Sequence, residues 1–497
     1  MDTLRKFPRG ARVLLNNARF ADVGGGCYYP AGTGMLIQDG HILGLPGLPG
    51  ETAETRPDII VDLEGKAVIP GLFNTHTHIG SIVPSLNPAL RDLRVMKDCA
   101  QAQIEKSLVD CLAHGITHVR DGWADDLLPN RALRQRIALG ELRGPRIIQC
   151  VAVGQPGGYL IGSLPLAIRL LAGGKAIDYS SPNTGVVIFP ADGSAQQARD
   201  AVDRAIDERG AESIKIGEEF TNMMDPRKAC QVMTPAQLRA VADQARKRGI
   251  KTTMHHSAAA SLCRAAEAGV DALVHTPCDL PLSEADIQAC AAAGCMIEPT
   301  LSVPYSGAWR LQGEREQIHP RLTRLASFRA AGGSAYIEEY WIPEMKRTVR
   351  EGMQRLGRGQ YKVFGLVDFA GPLRAALKQL TLGMDNFKRL YQAGLRATTS
   401  NDANKAPVTT AMLDLELELF DFLINGERQV GEKPFTPADA LRAATLHGAQ
   451  ALGVDDRFGT LEPGKIADLV VLDGDPLADF RLIGSRAAAV MLDGQWI

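Results

Sequence analysis

The stretch "GLFNTHTHIG", residues 71–80, sets His76 and His78 one residue apart behind a proline and an apolar run. Side chains alternate between the two faces of a strand, so both imidazoles would enter one pocket while Thr75 and Thr77 point the other way. Two imidazoles on a rigid backbone can bind one metal ion, although His-x-His alone is a weak signal. Further along, His255 and His256, then His275, then Asp402 end apolar, strand-like runs. Singly, each has an ordinary reading: a buried hydrogen-bonded histidine, or an aspartate capping a turn. Gathered at one mouth, the same residues would be metal ligands.

The elements that must position them can be read from local signals. In "TPAQLRAVADQARKRGIKTTMHHS", Thr234 and Gln237 form a capping box, Pro235 suits the first helical position, and Gly249 closes the helix before a strand ending at His255 and His256. A helix stopping at Gly269 leads to "VDALVH", and another from Ser283 to Gly294 leads to "CMIEPTL". This alternation predicts a parallel sheet covered by helices. In a (β/α)8 barrel the active site lies at the carboxyl ends of the strands, where these histidines fall. Residues 1–68 and 455–497 instead read as short strands broken by Gly, Asp and Pro-Gly turns, too few at either end for a stable sheet. Both termini are therefore expected to build one small β domain around a barrel spanning 69–454. Residues 304–380 interrupt the rhythm with aromatic, Arg-rich, helix-prone pieces, a helical insertion expected to act as lid or pocket wall.

The 497 residues are 45% hydrophobic, ordinary globular material for about two or three domains. Fifty-five Lys and Arg against 57 Asp and Glu leave a net charge of −2, which argues against nucleic acid or an anionic membrane surface as partner. A small-molecule substrate is the default, with a homo-oligomer left open. Nine cysteines with no Cys-x-x-Cys pair argue against disulfides and a thiolate zinc site. The amino terminus lacks the apolar core of a signal peptide and no long apolar run follows, so a cytoplasmic location is expected.

From "AVIPGLFNTHTHIG" to "ALRAATLHGAQALGVDDRFGTLEPGKIADLVVLDGDPL" the chain resembles the metal-dependent amidohydrolases, particularly the branch with dipeptidases and imidazolonepropionase-like hydrolases. The resemblance implies an α/β fold: a distorted (β/α)8 TIM barrel with a small β-sandwich built from both termini. It implies two divalent metal ions, zinc by ligand type, with cobalt or manganese able to occupy the same set. His76, His78 and Asp402 would hold one, His255 and His275 the other, and Lys215 in "ESIKIGEEF" would bridge them as a carbon dioxide-derived carbamate. Asp402 would also take the proton of the attacking water and pass it to the leaving amine.

Chemistry supports the lysine's part. Between Ile214 and Ile216, Lys215 should point into the barrel, where a buried ammonium is costly and a carbamate would be an anionic ligand. The alternative is a lysine paired with Glu218 or Glu219, or reaching to the barrel mouth. Deaminases and imidazolonepropionase carry a glutamate three residues after the fifth-strand histidine, where this chain has Ala258. That favours hydrolysis of an amide, peptide, carbamate or urea bond over deamination or cyclic-amide opening on a single metal ion; a metal-free binding or scaffold protein is the remaining alternative. Tyr159 in "GQPGGYL" stands where relatives often have a histidine, making it a candidate substrate contact. Glu219 would select a basic group or simply be a solvated surface residue. Tyr305 and Trp309, with Tyr340 and Trp341, would line an apolar pocket or form a packed helical layer; His319 is a further candidate contact. Arg120 and Asp121 read as a structural pair. His256 should face away from the ligands, and His41, His114, His118 and His447 are expected to be structural.

Overall fold

The computed structural model describes residues 6–49, 56–83, 90–159, 178–221, 228–302, 304–305, 334–358, 360, 362–363, 367–368, 379–403, 408–426 and 428–497. Eight strands hydrogen-bond side by side in chain order: β1 (Leu72–Thr77), β2 (Ile116–Asp121), β3 (Arg146–Gly154), β4 (Ser213–Gly217), β5 (Lys251–His255), β6 (Ala272–Val274), β7 (Met296–Glu298) and β8 (Arg396–Ala397). Every neighbouring pair is parallel, and a short strand, Val186–Ile188, adds to β3. The chain after β8 leaves regular pairing but closes the ring against β1. The Thr75 amide donates to Thr399 at 3.0 Å, those of Asn401 and Asp402 both donate to His76 at 3.1 and 2.9 Å, and that of His78 donates to Ala403 at 2.7 Å. This is a distorted barrel of eight parallel strands.

Local chemistry sets the helices that return each strand to the next. Helix Pro235–Lys247 begins at a reciprocal Thr234–Gln237 capping box, and helix Glu284–Ala293 at a Ser283–Asp286 box. Gly269 and Gly294 end their helices at φ of 75° and 70°, a conformation glycine adopts without a Cβ clash. Ile214 and Ile216 of β4 are buried in the main core among the covering helices' residues, Leu238, Val241 and Leu262 included. Alternation then turns Lys215 inward.

Two smaller sheets lie outside the barrel. One has the order His41–Gly44, Met35–Gln38, Val13–Asn16, Ile59–Asp62. The other interleaves the chain's two ends, with Leu469–Leu472 pairing antiparallel to Ala67–Pro70, itself beside Arg19–Asp22. Leu15, Phe20, Met35, Ile37, Val68, Leu469, Met491 and Trp496 fill one core between these sheets. Within 304–380, helices Ser334–Tyr340 and Pro343–Gly357 are tied to the long helix after β1. Gln103 donates to the Tyr340 carbonyl and accepts from the Ile342 amide, both at 2.9 Å, and Arg355 pairs with Asp92. The described pieces pack as a layer: Tyr305, Tyr340 and Trp341 are all buried in the main core. Trp309 and His319 lie outside the described residues. No helix among the described residues is long and apolar enough to cross a membrane, and all nine cysteines are free thiols.

Candidate metal centre

Four imidazoles form a continuous chain across the carboxyl ends of the strands. Ring centroids are 5.1 Å apart for His78 and His76, 6.0 Å for His76 and His275, and 4.7 Å for His275 and His255. Asp402 closes the β1 side: its Oδ1 lies 3.1 Å from His78 Nε2 and 3.6 Å from His76 Nε2, so three donors converge within a cation's reach.

The other ring nitrogens explain why these donor atoms face inward. His78 Nδ1 lies 3.3 Å from the Trp123 carbonyl, and His275 Nδ1 lies 2.6 Å from Thr300 Oγ1. Each partner fixes a ring orientation through Nδ1, the usual arrangement around a metal-binding histidine. The His76 ring lies on the backbone at Gly122, where an added Cβ would come within 2.3 Å of it. On the outer side of β2, Asp121 accepts from the Ile79 amide at 2.9 Å and Asn130 at 2.5 Å, pinning the loop that carries His78. Burial pushes the Asp121 carboxyl up to about 6.

Lys215 enters the same interior. Its Nζ is buried without a hydrogen-bond partner among the described residues, and burial, helped by the nearby Arg120 guanidinium, pulls its ammonium down to about 8. Neither alternative partner reaches it: Glu218 pairs with Arg264 at 2.6 Å, and Glu219 turns to His255 and Ser257. An orphaned amine among histidines and an aspartate fits a lysine whose resting form is a carbamate shared by cations.

Three expectations need correction. Glu219 is not a solvated surface residue; it is 6% exposed, with Oε1 at 3.0 Å from His255 Nε2, and burial pushes its carboxyl up to about 7. Arg120 and Asp121 are not a pair, because adjacent strand residues face opposite sides; Arg120 bonds Glu298 and Thr253 across the interior. The strand predicted to end at Asp402 stops at Ala397, since from Thr399 onward the backbone bonds to β1 and to Ala443 rather than to β7. Tyr159 lies on the His255 ring with centroids 4.0 Å apart. His256 faces away, its Nδ1 2.9 Å from the Val274 carbonyl. His114 and His447 likewise meet backbone carbonyls of Gly484 and Ala397, and His118 stacks on Phe73. Thr300 and the Trp123 carbonyl escaped the sequence reading because nothing in the residues around them marks a contact made between neighbouring strand ends.

Residues 67–497 match the amidohydrolase family, and the chain belongs to it. A stretch of 127 residues is 35% identical to imidazolonepropionase of Geobacillus kaustophilus, covering 26% of each chain. The curated relatives are thus matched over less than a third of their own length. Among solved structures, molinate hydrolase superposes with a TM-score of 0.66 at 19% identity, covering 99% of this chain and 95% of that one. A Xaa-Pro dipeptidase with methionine bound gives 0.63 at 20% identity, covering 98% and 100%. At such identities the likeness is one of fold.

Proposed function

We propose that the protein is a hydrolase of amide-type C–N bonds in a small molecule, whether amide, peptide, carbamate or urea, working with two divalent cations. The observation that carries this reading is the joint approach of four imidazoles, the Asp402 carboxylate and an unpartnered Lys215 amine at one mouth. His76, His78 and Asp402 would hold one cation, His255 and His275 the other, with Lys215 as carbamate between them. When bound, such ions acidify a water and polarise the scissile carbonyl.

The chain's own groups do the rest. Asp402 accepts the water's proton at its carboxylate and returns it to the leaving nitrogen, which departs more easily once protonated. Its backbone, at φ 45° and bonded to the His76 carbonyl, keeps the carboxylate beside the His76 and His78 rings. Tyr159, stacked on His255, offers a flat wall to a bound substrate. Ala258 brings only a methyl group to the start of helix Ala259–Ala268, so the proton-transfer group of the deaminase branches is missing there.

The test is a screen of metal-reconstituted protein against N-acyl amino acids, dipeptides, aryl carbamates and ureas. Amine released in step with acid from amides and dipeptides, or with carbon dioxide from carbamates and ureas, supports the proposal. Ammonia from aminated heterocycles alone would replace it with deamination, and inactive protein that binds no metal would replace it with a scaffold role.

A further inference from the structure

We propose that Glu219 is a direct ligand of the second cation, the counterpart of Asp402 at the first; this rests on the two-cation reading above. Alternation along the chain leaving β4 puts Lys215, Gly217 and Glu219 on one side and Glu218 on the other. Glu218 is held outward by Arg264, and its amide donates to the His255 carbonyl at 3.0 Å. Glu219 therefore turns into the mouth, where Oε2 accepts from Ser257 at 2.7 Å.

Its other oxygen, the buried Oε1, makes a close approach to a ring nitrogen, His255 Nε2 at 3.0 Å, but no hydrogen bond among the described residues. An approach that close without hydrogen-bond alignment is what two ligands of one cation show. Bonds of about 2.0–2.1 Å place adjacent donors roughly 2.9–3.4 Å apart. The Asp402–His78 approach is similarly short, 3.1 Å. On one side of the mouth His76, His78 and Asp402 bring their donors within 4.8 Å of one another, whereas on the other His255, His275 and Glu219 stand further apart, with Glu219 at 3.0 Å from His255. A carboxylate of its own would give the second cation a charge balance like that of the first, and would leave one coordination position fewer for water or substrate.

The experiment is a cobalt(II) titration of chelator-stripped full-length protein, read by visible absorption and by metal retained after gel filtration, for wild type, Glu219→Gln and Glu219→Ala. The expected result is two cobalt ions per wild-type chain. Both variants should keep the first ion and bind the second at least about 10-fold more weakly, with a changed absorption band. Glutamine retains the shape and can accept the Ser257 hydrogen bond. If Glu219→Gln holds two ions at wild-type affinity with an unchanged band, the carboxylate is only a structural prop and the proposal is overturned while the two-cation reading stands. A wild-type chain that takes up a single ion would overturn both, and its stoichiometry separates that outcome from the first.

Discussion

Among the described residues, seven other than glycine hold positive φ, and they divide between two regions. Asn17, Asp39, Glu64 and Asp493 sit on exposed turns of the terminal sheets, whereas His275, Thr300 and Asp402 are buried at the barrel mouth. On a turn the left-handed conformation reverses the chain, and Asn and Asp tolerate it best. At the mouth it falls on an aspartate, a histidine and a β-branched threonine, and the threonine resists it most. Neighbours compel it there: Glu416 accepts the amides of Leu301 and Ser302, both at 2.8 Å, and the His76 carbonyl takes two amides from the segment carrying Asp402. Strain over-determined in this way belongs to a site whose geometry matters more than its stability.

The contrast breaks most sharply at Asp402. Asp402→Asn keeps the shape and the backbone bonds but removes the proton acceptor. It should lower kcat by at least about 10³-fold while leaving the melting temperature within about 3 °C, checked by steady-state kinetics and thermal unfolding of the same preparation. A similar loss of turnover, accompanied by a gain in stability, is expected at Lys215. Lys215→Met replaces an orphaned buried amine by an apolar chain of similar length, so metal-free protein should gain about 1–3 kcal/mol in urea unfolding even as activity disappears.

The legible part of this molecule was the part written in local spacing. Capping residues, closing glycines and strand alternation placed His76, His78, His255, His275 and the inward Lys215, because each depends on residues within a few positions of it. What escaped depends on contacts between distant segments. The inward turn of Glu219 follows from Arg264 capturing Glu218, 46 positions away. The Thr300 hydroxyl meets His275 across two strand ends, and β8 is short because Thr399–Ala403 bond to other segments instead. The aromatic residues Tyr305, Tyr340 and Trp341 were ambiguous for the same reason, since an aromatic side chain fits a core and a pocket wall equally well until its neighbours are known.

Thr300 tests whether the strained threonine serves the metal or only the fold. Thr300→Val keeps the branched shape and the backbone demand but removes the hydroxyl that orients the His275 ring. Affinity for the second cation should fall about 10- to 100-fold, measured by cobalt titration, with the first cation unaffected. Equal weakening of both sites would mean that the substitution disturbs the mouth as a whole.

The smallest effect is expected at the exposed end of the comparison. Glu64 holds φ 55° just before Gly65 at 74°, in the turn between strands Ile59–Asp62 and Ala67–Pro70. Its amide donates to Asp62 at 2.8 Å, a bond that glycine would keep. Glu64→Gly removes a left-handed penalty of about 1–2 kcal/mol but gives up about 0.5–1 kcal/mol of chain entropy. The net gain should be about 0.5 kcal/mol in urea unfolding, with kcat and metal stoichiometry unchanged. Thr300→Gly would relieve the same kind of strain at the mouth yet lose the hydroxyl on His275. A pair of variants with similar backbone relief but opposite consequences for metal binding would show that the strain at the mouth is coupled to ligand geometry, whereas the strain on the turn is only the cost of reversing the chain.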